Sequence, residues 1–385
     1  MDGNADFLVM AKPAGPRCNL RCGYCYYVGK ETLFGAAPER MSAETLERYI
    51  AQRIDAASGG TVHFEWHGGE PTLLGLDFFK RIAALQRKYR PAGHGITNGI
   101  QTNGLLLNAS WAAFLAREKW SVGLSLDGPA ELHDKYRKTA GGAPTHERVV
   151  ASFNTLRQRG VFVNVLCVVN EANAARPDET YAFFRGLGVR YLQFLPLVTP
   201  SSGPQAHPAA ATPEAIGEFL CRVFDLWAAE DVGRIVIQTF DEALRPVYGL
   251  PHALCIHAET CGRVAVLERD GSLYACDHFV DPAHLIGNLW DRDLASLMAD
   301  PRQAAFGAAK AQTLPRVCRT CDFLTACNGG CPKDRFVPDP EGGWPLNYIC
   351  PAYRRFFAHA RPALESLAAH MKAGKALREF RTTAR

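Results

Sequence analysis

Charge of one sign is missing from this chain. Across 385 residues, 43 Lys and Arg stand against 39 Asp and Glu, and a net charge of +4 supplies neither a nucleic-acid footprint nor a patch for acidic membranes. Long apolar runs are missing too: none approaches the roughly 20 residues that span a bilayer. The opening stretch MDGNADFLVMAKPAG lacks the basic start and apolar core of an export signal. A soluble, cytoplasmic protein with no nucleic-acid and no membrane partner is expected. Cysteine, by contrast, is abundant. Thirteen thiols, an odd number, in a chain without an export signal are better read as metal ligands than as disulfides, because the cytosol keeps thiols reduced.

The hydrophobic content of 47% in so long a chain suffices for one large α/β domain and a smaller one. The first two-thirds alternates β-rich runs with amphipathic stretches. Strands are predicted at 7–12, 62–66, 95–101, 120–126, 161–169 and 190–196. Between them lie helical patterns: one opens at Ser42 as an N-cap with Leu46, Tyr49, Ile50 and Ile54 on one face, and two later ones end in Gly. Six strand-helix units imply parallel strands with right-handed crossovers, hence an α/β barrel, open or closed, whose chemistry sits in the loops after the strands.

The loop after the first strand is CNLRCGYCYY, with Cys18, Cys22 and Cys25 spaced three and then two residues apart. Three thiolates without a nearby fourth suit an iron-sulfur cluster with one iron left open; a zinc knuckle borrowing a distant ligand is the alternative. After the second strand comes HGGEP, residues 67–71, whose glycines allow a close backbone approach. QTNG (101–104) follows the third, and SLDGP (125–129) with HDKYR follows the fourth. A hydroxyl at Ser125 can bond a ribose, and Arg137 can clamp a carboxylate. Cys167, in an apolar strand, and Cys221, in a helix, read as core residues. Residues 198–214, rich in Pro, Ser and Ala, read as a surface loop ending in a Thr212 N-cap before Pro213.

From residue 255 the composition changes. Cys255, Cys261, Cys276, Cys318, Cys321, Cys327, Cys331 and Cys350 are eight thiols, enough for two four-ligand sites, and the run from 318 to 331 is too dense for core packing. VAVLERDGSLYACDHFV reads as a hairpin turning at Asp270-Gly271 and delivering Cys276 on its second strand. Four-thiolate zinc obeys similar spacing, so the metal stays open here. The tail from Ala352 reads as a basic amphipathic helix interrupted near Pro362 and Gly374, packed by its Leu and Phe face.

Cys-x3-Cys-x2-Cys followed by aromatics resembles the signature of radical S-adenosylmethionine enzymes, and the cysteine-rich carboxy-terminal part resembles a SPASM domain. WHGGEPTLLGLDFF, ETCGRVAVLERDGSLYACDHFV and NGGCPKDRF narrow this to a resemblance, over most of the chain, to the anaerobic sulfatase-maturating enzymes. The resemblance implies a partial (β/α)6 barrel over 1–240 and an auxiliary-cluster domain over 241–385. It implies three 4Fe-4S clusters: one on Cys18, Cys22 and Cys25, one on Cys255, Cys261, Cys276 and Cys331, one on Cys318, Cys321, Cys327 and Cys350. Spacing alone leaves the partition of the last eight open. By the same resemblance S-adenosylmethionine meets Tyr24, Gly68, Gly69, Glu70, Ser125, Arg137 and the backbone of Leu195.

The implied reaction oxidises a Cys or Ser of an unfolded or nascent sulfatase polypeptide to Cα-formylglycine. The reduced first cluster, fed by a donor such as flavodoxin or ferredoxin, cleaves the sulfonium, and the 5'-deoxyadenosyl radical takes a hydrogen atom from the substrate Cβ. An auxiliary cluster accepts the second electron, and Asp277, next to ligand Cys276, accepts the proton. The same machinery forming thioether or carbon-carbon crosslinks in a precursor peptide is the alternative, against which the absence of a leader-binding segment before the first strand weighs. A zinc-stabilised binding protein is a further one.

Overall fold

The computed structural model of the chain describes residues 7–34, 39–57, 60–199 and 206–380. Its sheet strands, in chain order, are β1 (Leu8–Lys12), β2 (Thr61–Trp66), β3 (Gly95–Thr102), β4 (Ser121–Ser125), β5 (Phe162–Val169), β6 (Tyr191–Pro196), β7 (Val236–Ile237), β8 (Val264–Glu268), β9 (Ser272–Tyr274) and β10 (Leu285–Asn288). The first six lie within one residue, at each end, of the runs that predicted them. Residues 1–125, 137–163 and 261–308 form one compact unit, and 126–136, 164–260 and 309–385 a second.

In the first unit β1 to β4 are parallel neighbours, pairing Met10 with Glu65, Phe64 with Asn98 and Gly99 with Ser121. β8 joins β1, also parallel, placing Glu268 opposite Lys12, and β9 and β10 continue antiparallel. Strand alternation sorts β2: Val62, Phe64 and Trp66 are buried, while His63 is exposed and Glu65 half-buried on the other face. On the buried face Phe64 stacks on Trp66 at 6.0 Å, Trp66 on Trp120 at 6.5 Å, and Phe79 meets Trp120 edge-on at 5.7 Å. Each such ring contributes about 1.5–3 kcal/mol by leaving water, which anchors the helices Ala43–Asp55 and Leu76–Tyr89 over the sheet. Ser42 caps the first of these helices as expected, its side chain accepting from Thr45 N. The hairpin turns at Gly271, whose φ of +89° suits glycine. Its second strand ends at Tyr274, so Cys276 stands past the strand and not on it. There the chain has curled into a turn closed by Phe279 N donating to Cys276 O at 3.1 Å.

In the second unit β5, β6 and β7 run parallel. Thr212 caps the helix Pro213–Glu230 as predicted; residues 200–205 of the loop before it lie outside the described residues. Cys167 and Cys221 are buried, as core residues should be. The terminal helix runs unbroken from Cys350 to Lys372, so the interruption expected near Pro362 does not occur. A proline inside a helix costs about 3 kcal/mol. Here Pro362 lies on the exposed face, while Phe356, Ala360, Leu364 and Leu367 are buried, and their packing outweighs one lost hydrogen bond. The helix stops before Gly374, at φ +71°, as its sequence suggested. Among the described residues, no helix is long and apolar enough to cross a membrane.

Candidate active site

The loops after β1 and β2 are one structure. Gly69 N donates to Gly15 O at 2.7 Å and Glu70 N to Arg17 O at 2.8 Å. A Cβ on Gly69 would lie 2.1 Å from Arg17 O, so only glycine allows the clamp that sets the start of the cysteine loop. Glu70, 1% exposed, accepts from Thr72 N at 3.0 Å, Thr102 Oγ1 at 2.7 Å, Asn103 N at 2.8 Å and the Thr72 hydroxyl. Its carboxylate braces the loops after β2 and β3, and what HGGEP offers a ligand is main chain. Asn103 Nδ2 donates to Asn19 Oδ1 at 2.8 Å and to Cys18 Sγ at 3.6 Å, and Leu20 N donates to the same sulfur at 3.3 Å. Burial nonetheless pushes the Cys18 thiol up to about 11. A bound cation reverses that, because ligation holds the sulfur as thiolate.

The other predicted cofactor contacts of this unit lie around the same strand ends. Tyr24 is buried, and the Arg137 guanidinium sits 5.6 Å from its ring centroid. Arg137 O accepts the Thr145 hydroxyl at 2.7 Å, fixing the backbone that carries it. Ser125 Oγ, at the end of β4, accepts from Gln101 Nε2 at 3.0 Å. Leu195 belongs to the second unit, near the end of β6, and is exposed.

Asp277 is buried and ion-paired with Lys12, and Tyr26 Oη donates to its Oδ2 at 2.5 Å. Lys12, fully buried at the end of β1, also lies 3.5 Å from the Tyr27 ring centroid, and Tyr27 donates its hydroxyl to Glu268. Burial by itself would raise the Asp277 carboxyl. The Lys12 ammonium, with His67 and His278, outweighs it and holds Asp277 well below the usual carboxylate range. At Glu268 burial wins over Lys12 and the Tyr27 hydrogen bond, pushing it up to about 7. One lysine thus faces two carboxyls and keeps one of them ionised. Sequence reasoning singled out Asp277 through the family resemblance and passed over Lys12, Tyr26, Tyr27 and Glu268, which surround it here. The available signal was a lysine closing the apolar run FLVMAK at the end where barrel sites lie.

Of the eight later cysteines, Cys261 and Cys276 belong to the first unit. Cys255, Cys318, Cys321, Cys327, Cys331 and Cys350 belong to the second. Cys318 and Cys327 sit on short helical turns, and Cys350 opens the terminal helix. Burial, then Cys350 and Cys318, pushes Cys327 up to about 12; Cys350 is raised by burial and then by Cys321. Cys318, Cys321, Cys327 and Cys350 are therefore close enough to repel one another as thiolates, a grouping a bound cation relieves. None of the thirteen cysteines forms a disulfide. Among the described residues no three His, Cys, Asp or Glu side chains converge as around one metal ion; a multi-iron cluster spans a wider gap between its thiolates. His257 Nδ1, two residues from Cys255, is buried without a hydrogen-bond partner, its ring lying against His252, Tyr353 and Phe357. The residues fit iron-sulfur clusters.

Comparison with known proteins agrees. The Radical SAM superfamily matches residues 13–184, and the iron-sulfur cluster-binding SPASM domain matches 255–322. The serine-type anaerobic sulfatase-maturating enzyme of Bacteroides thetaiotaomicron is 41% identical over 373 residues, covering 93% of this chain and 90% of that protein. The chain belongs to the anaerobic sulfatase-maturating enzymes. The cysteine-type enzyme of Clostridium perfringens is 31% identical over 367 residues, covering 94% of this chain and 99% of the relative. The solved structure of native anSMEcpe with bound AdoMet and Kp18Cys peptide matches with a TM-score of 0.85 at 31% identity, covering 94% of this chain and 99% of that one. As a family member the chain has the α/β radical SAM fold with a carboxy-terminal SPASM domain, and its cofactors are 4Fe-4S clusters and S-adenosylmethionine.

Proposed function

We propose that this chain oxidises a Cys or Ser side chain of a sulfatase polypeptide to Cα-formylglycine without oxygen, with Asp277 as the proton acceptor. The observation that carries the assignment of Asp277 is its carboxylate, kept ionised by Lys12 and held by Tyr26, one residue after a cluster cysteine. The 4Fe-4S clusters and S-adenosylmethionine supply, when bound, the one-electron chemistry that removes a hydrogen atom from the substrate Cβ. An alcohol carbon that has lost one hydrogen atom becomes an aldehyde by losing one electron and one proton. That proton is strongly acidic once the electron leaves, so a weak base suffices provided it is ionised and in place. Asp277 meets both conditions: its pKa is low, and two partners fix its orientation. For a Cys substrate the same losses yield a thioaldehyde, which water hydrolyses to the aldehyde and hydrogen sulfide.

In this reading Cys18, Cys22 and Cys25 hold the first cluster, and Tyr24, the main chain of Gly68, Gly69 and Glu70, Ser125, Arg137 and the Leu195 backbone hold S-adenosylmethionine. The remaining ligands follow the partition set out above, with the barrel over 1–240 and the auxiliary domain over 241–385. The reaction runs in the cytoplasm with a flavodoxin or ferredoxin as donor, on a polypeptide not yet folded. The test is anaerobic reconstitution followed by incubation with sulfatase-derived peptides carrying Ser or Cys at the target position. An aldehyde on either peptide, formed with 5'-deoxyadenosine and lost in Asp277→Asn, is the expected result. Cofactor cleavage with peptide crosslinks and no aldehyde would refute the reading.

A further inference from the structure

A buried lysine and a half-buried arginine outside the site described above fasten the cysteine loops of the second unit. Lys310, 1% exposed, donates to Cys255 O at 2.8 Å, Ile256 O at 3.0 Å and Ala258 O. Its own carbonyl accepts from Arg335 Nη1 at 2.8 Å. Arg335 donates further to Thr313 O, Asn328 O and Gly329 O, each at 3.2 Å. Asn328 Nδ2 returns to His257 O at 2.7 Å. The loop after Cys255 and the loop after Cys327 are thus stitched together through two fixed positive charges, and each of those acceptors is a neutral carbonyl. Three carbonyls fill the three donors of the ammonium and hold it in one place. Burying a charge is costly, and a neutral side chain would fill this place at lower cost.

We propose that Lys310 is a positioning residue for the auxiliary electron acceptor: it fixes the main chain at Cys255, and its charge, backed by Arg335, raises the reduction potential of an auxiliary cluster. The inference rests on the reading of Cys255 and Cys327 as cluster ligands. Taking up an electron makes a thiolate-bound cluster more negative by one charge, and a fixed cation in a low-dielectric interior stabilises the reduced state more than the oxidised one. The geometry places the charge in the loop of the first of these ligands, with Lys310 Nζ donating to the carbonyl of Cys255 itself at 2.8 Å. A cluster held by these cysteines would supply an acceptor for the electron leaving the substrate carbon, with Asp277 taking the proton, and a higher potential would favour that transfer.

The test compares reconstituted full-length wild type, Lys310→Met and Lys310→Arg, measuring iron and sulfide per chain and midpoint potentials by EPR-monitored titration. Lys310→Met is expected to lower the equilibrium constant for reduction of one auxiliary cluster at least about tenfold, or about 59 mV for a one-electron couple, with Lys310→Arg near wild type. A fully loaded Lys310→Met with an unshifted potential would overturn the proposal, as would a Lys310→Arg that falls equally far. Should Lys310→Met take up no auxiliary iron, Lys310→Arg decides. Iron restored at the wild-type potential supports the assignment; iron restored at a lowered potential, or not at all, overturns it. A wild-type chain that binds only about four irons fails the ligand reading itself, which is a separate result.

Discussion

Replacing Lys12 with Met tests the organisation of the site most directly. Lys12 is fully buried against Asp277, and its removal leaves that carboxylate enclosed beside Glu268 with its charge unmatched. Breaking a buried pair from one side costs about 3–5 kcal/mol, because the desolvated partner keeps its penalty and loses its compensation. At about 2 °C per kcal/mol for a large domain, the reconstituted Lys12→Met protein should melt about 6–10 °C below wild type. Asp277→Asn combined with Lys12→Met removes both charges, so the double variant should regain most of that loss while staying inactive on peptide. The coupling from the four melts should reach about 2 kcal/mol. Melting curves and an aldehyde assay, both without oxygen, provide the two readouts. A Lys12→Met protein within about 2 °C of wild type, or a double variant whose losses simply add, would refute the claim that Lys12 keeps Asp277 ionised.

Glu65 sets a pH dependence of stability. Burial raises it from 4.5 to about 7, so the folded chain holds its proton more tightly than the unfolded one. That contribution, at most about 3 kcal/mol, is complete below the unfolded value and disappears as pH rises through the folded one. Denaturation midpoints of wild type should therefore fall between about pH 5 and 8, and those of Glu65→Gln should fall less; parallel slopes would exclude Glu65 as the cause. Gly69→Ala must displace the Arg17 carbonyl, 2.1 Å from the new Cβ, so it should lose S-adenosylmethionine cleavage and about four irons per chain while keeping the auxiliary ones. Cys350→Ala should also lose about four irons, yet retain cofactor cleavage and make little aldehyde.

The six barrel strands were legible because each is a short apolar run between turn residues, and a run buried on one face tolerates no shift of register. The cysteines and the glycine pair were singled out by their spacing, and Asp277 by the family resemblance together with its place beside Cys276. Lys12 was not, since a lysine at the end of a strand reads as solvent-facing until the strand beside it is known. That neighbour is β8, more than two hundred residues away in sequence, and it brings the Glu268 that pairs with Lys12. Glu70 carried a different surprise. Its place in the motif marks it as important, but only the hydrogen bonds from Thr72, Thr102 and Asn103 show that its carboxylate serves the protein's own loops. Pro362 misled in the opposite sense, because local preference predicted a break that packing overrode.

The pairing of β1 with β8 also bears on how the chain comes off the ribosome. β1 is among the first segments made, yet its lysine has no carboxyl to face until residues 268 and 277 have been synthesised. Until then β1 is an open sheet edge ending in a charge destined for burial, an arrangement that resists closing early. A chain interrupted before that point would hold the cysteine loop without Glu268 and Asp277, the two carboxyls that face Lys12. The sheet around the cysteine loop is thereby completed by a segment made more than two hundred residues later.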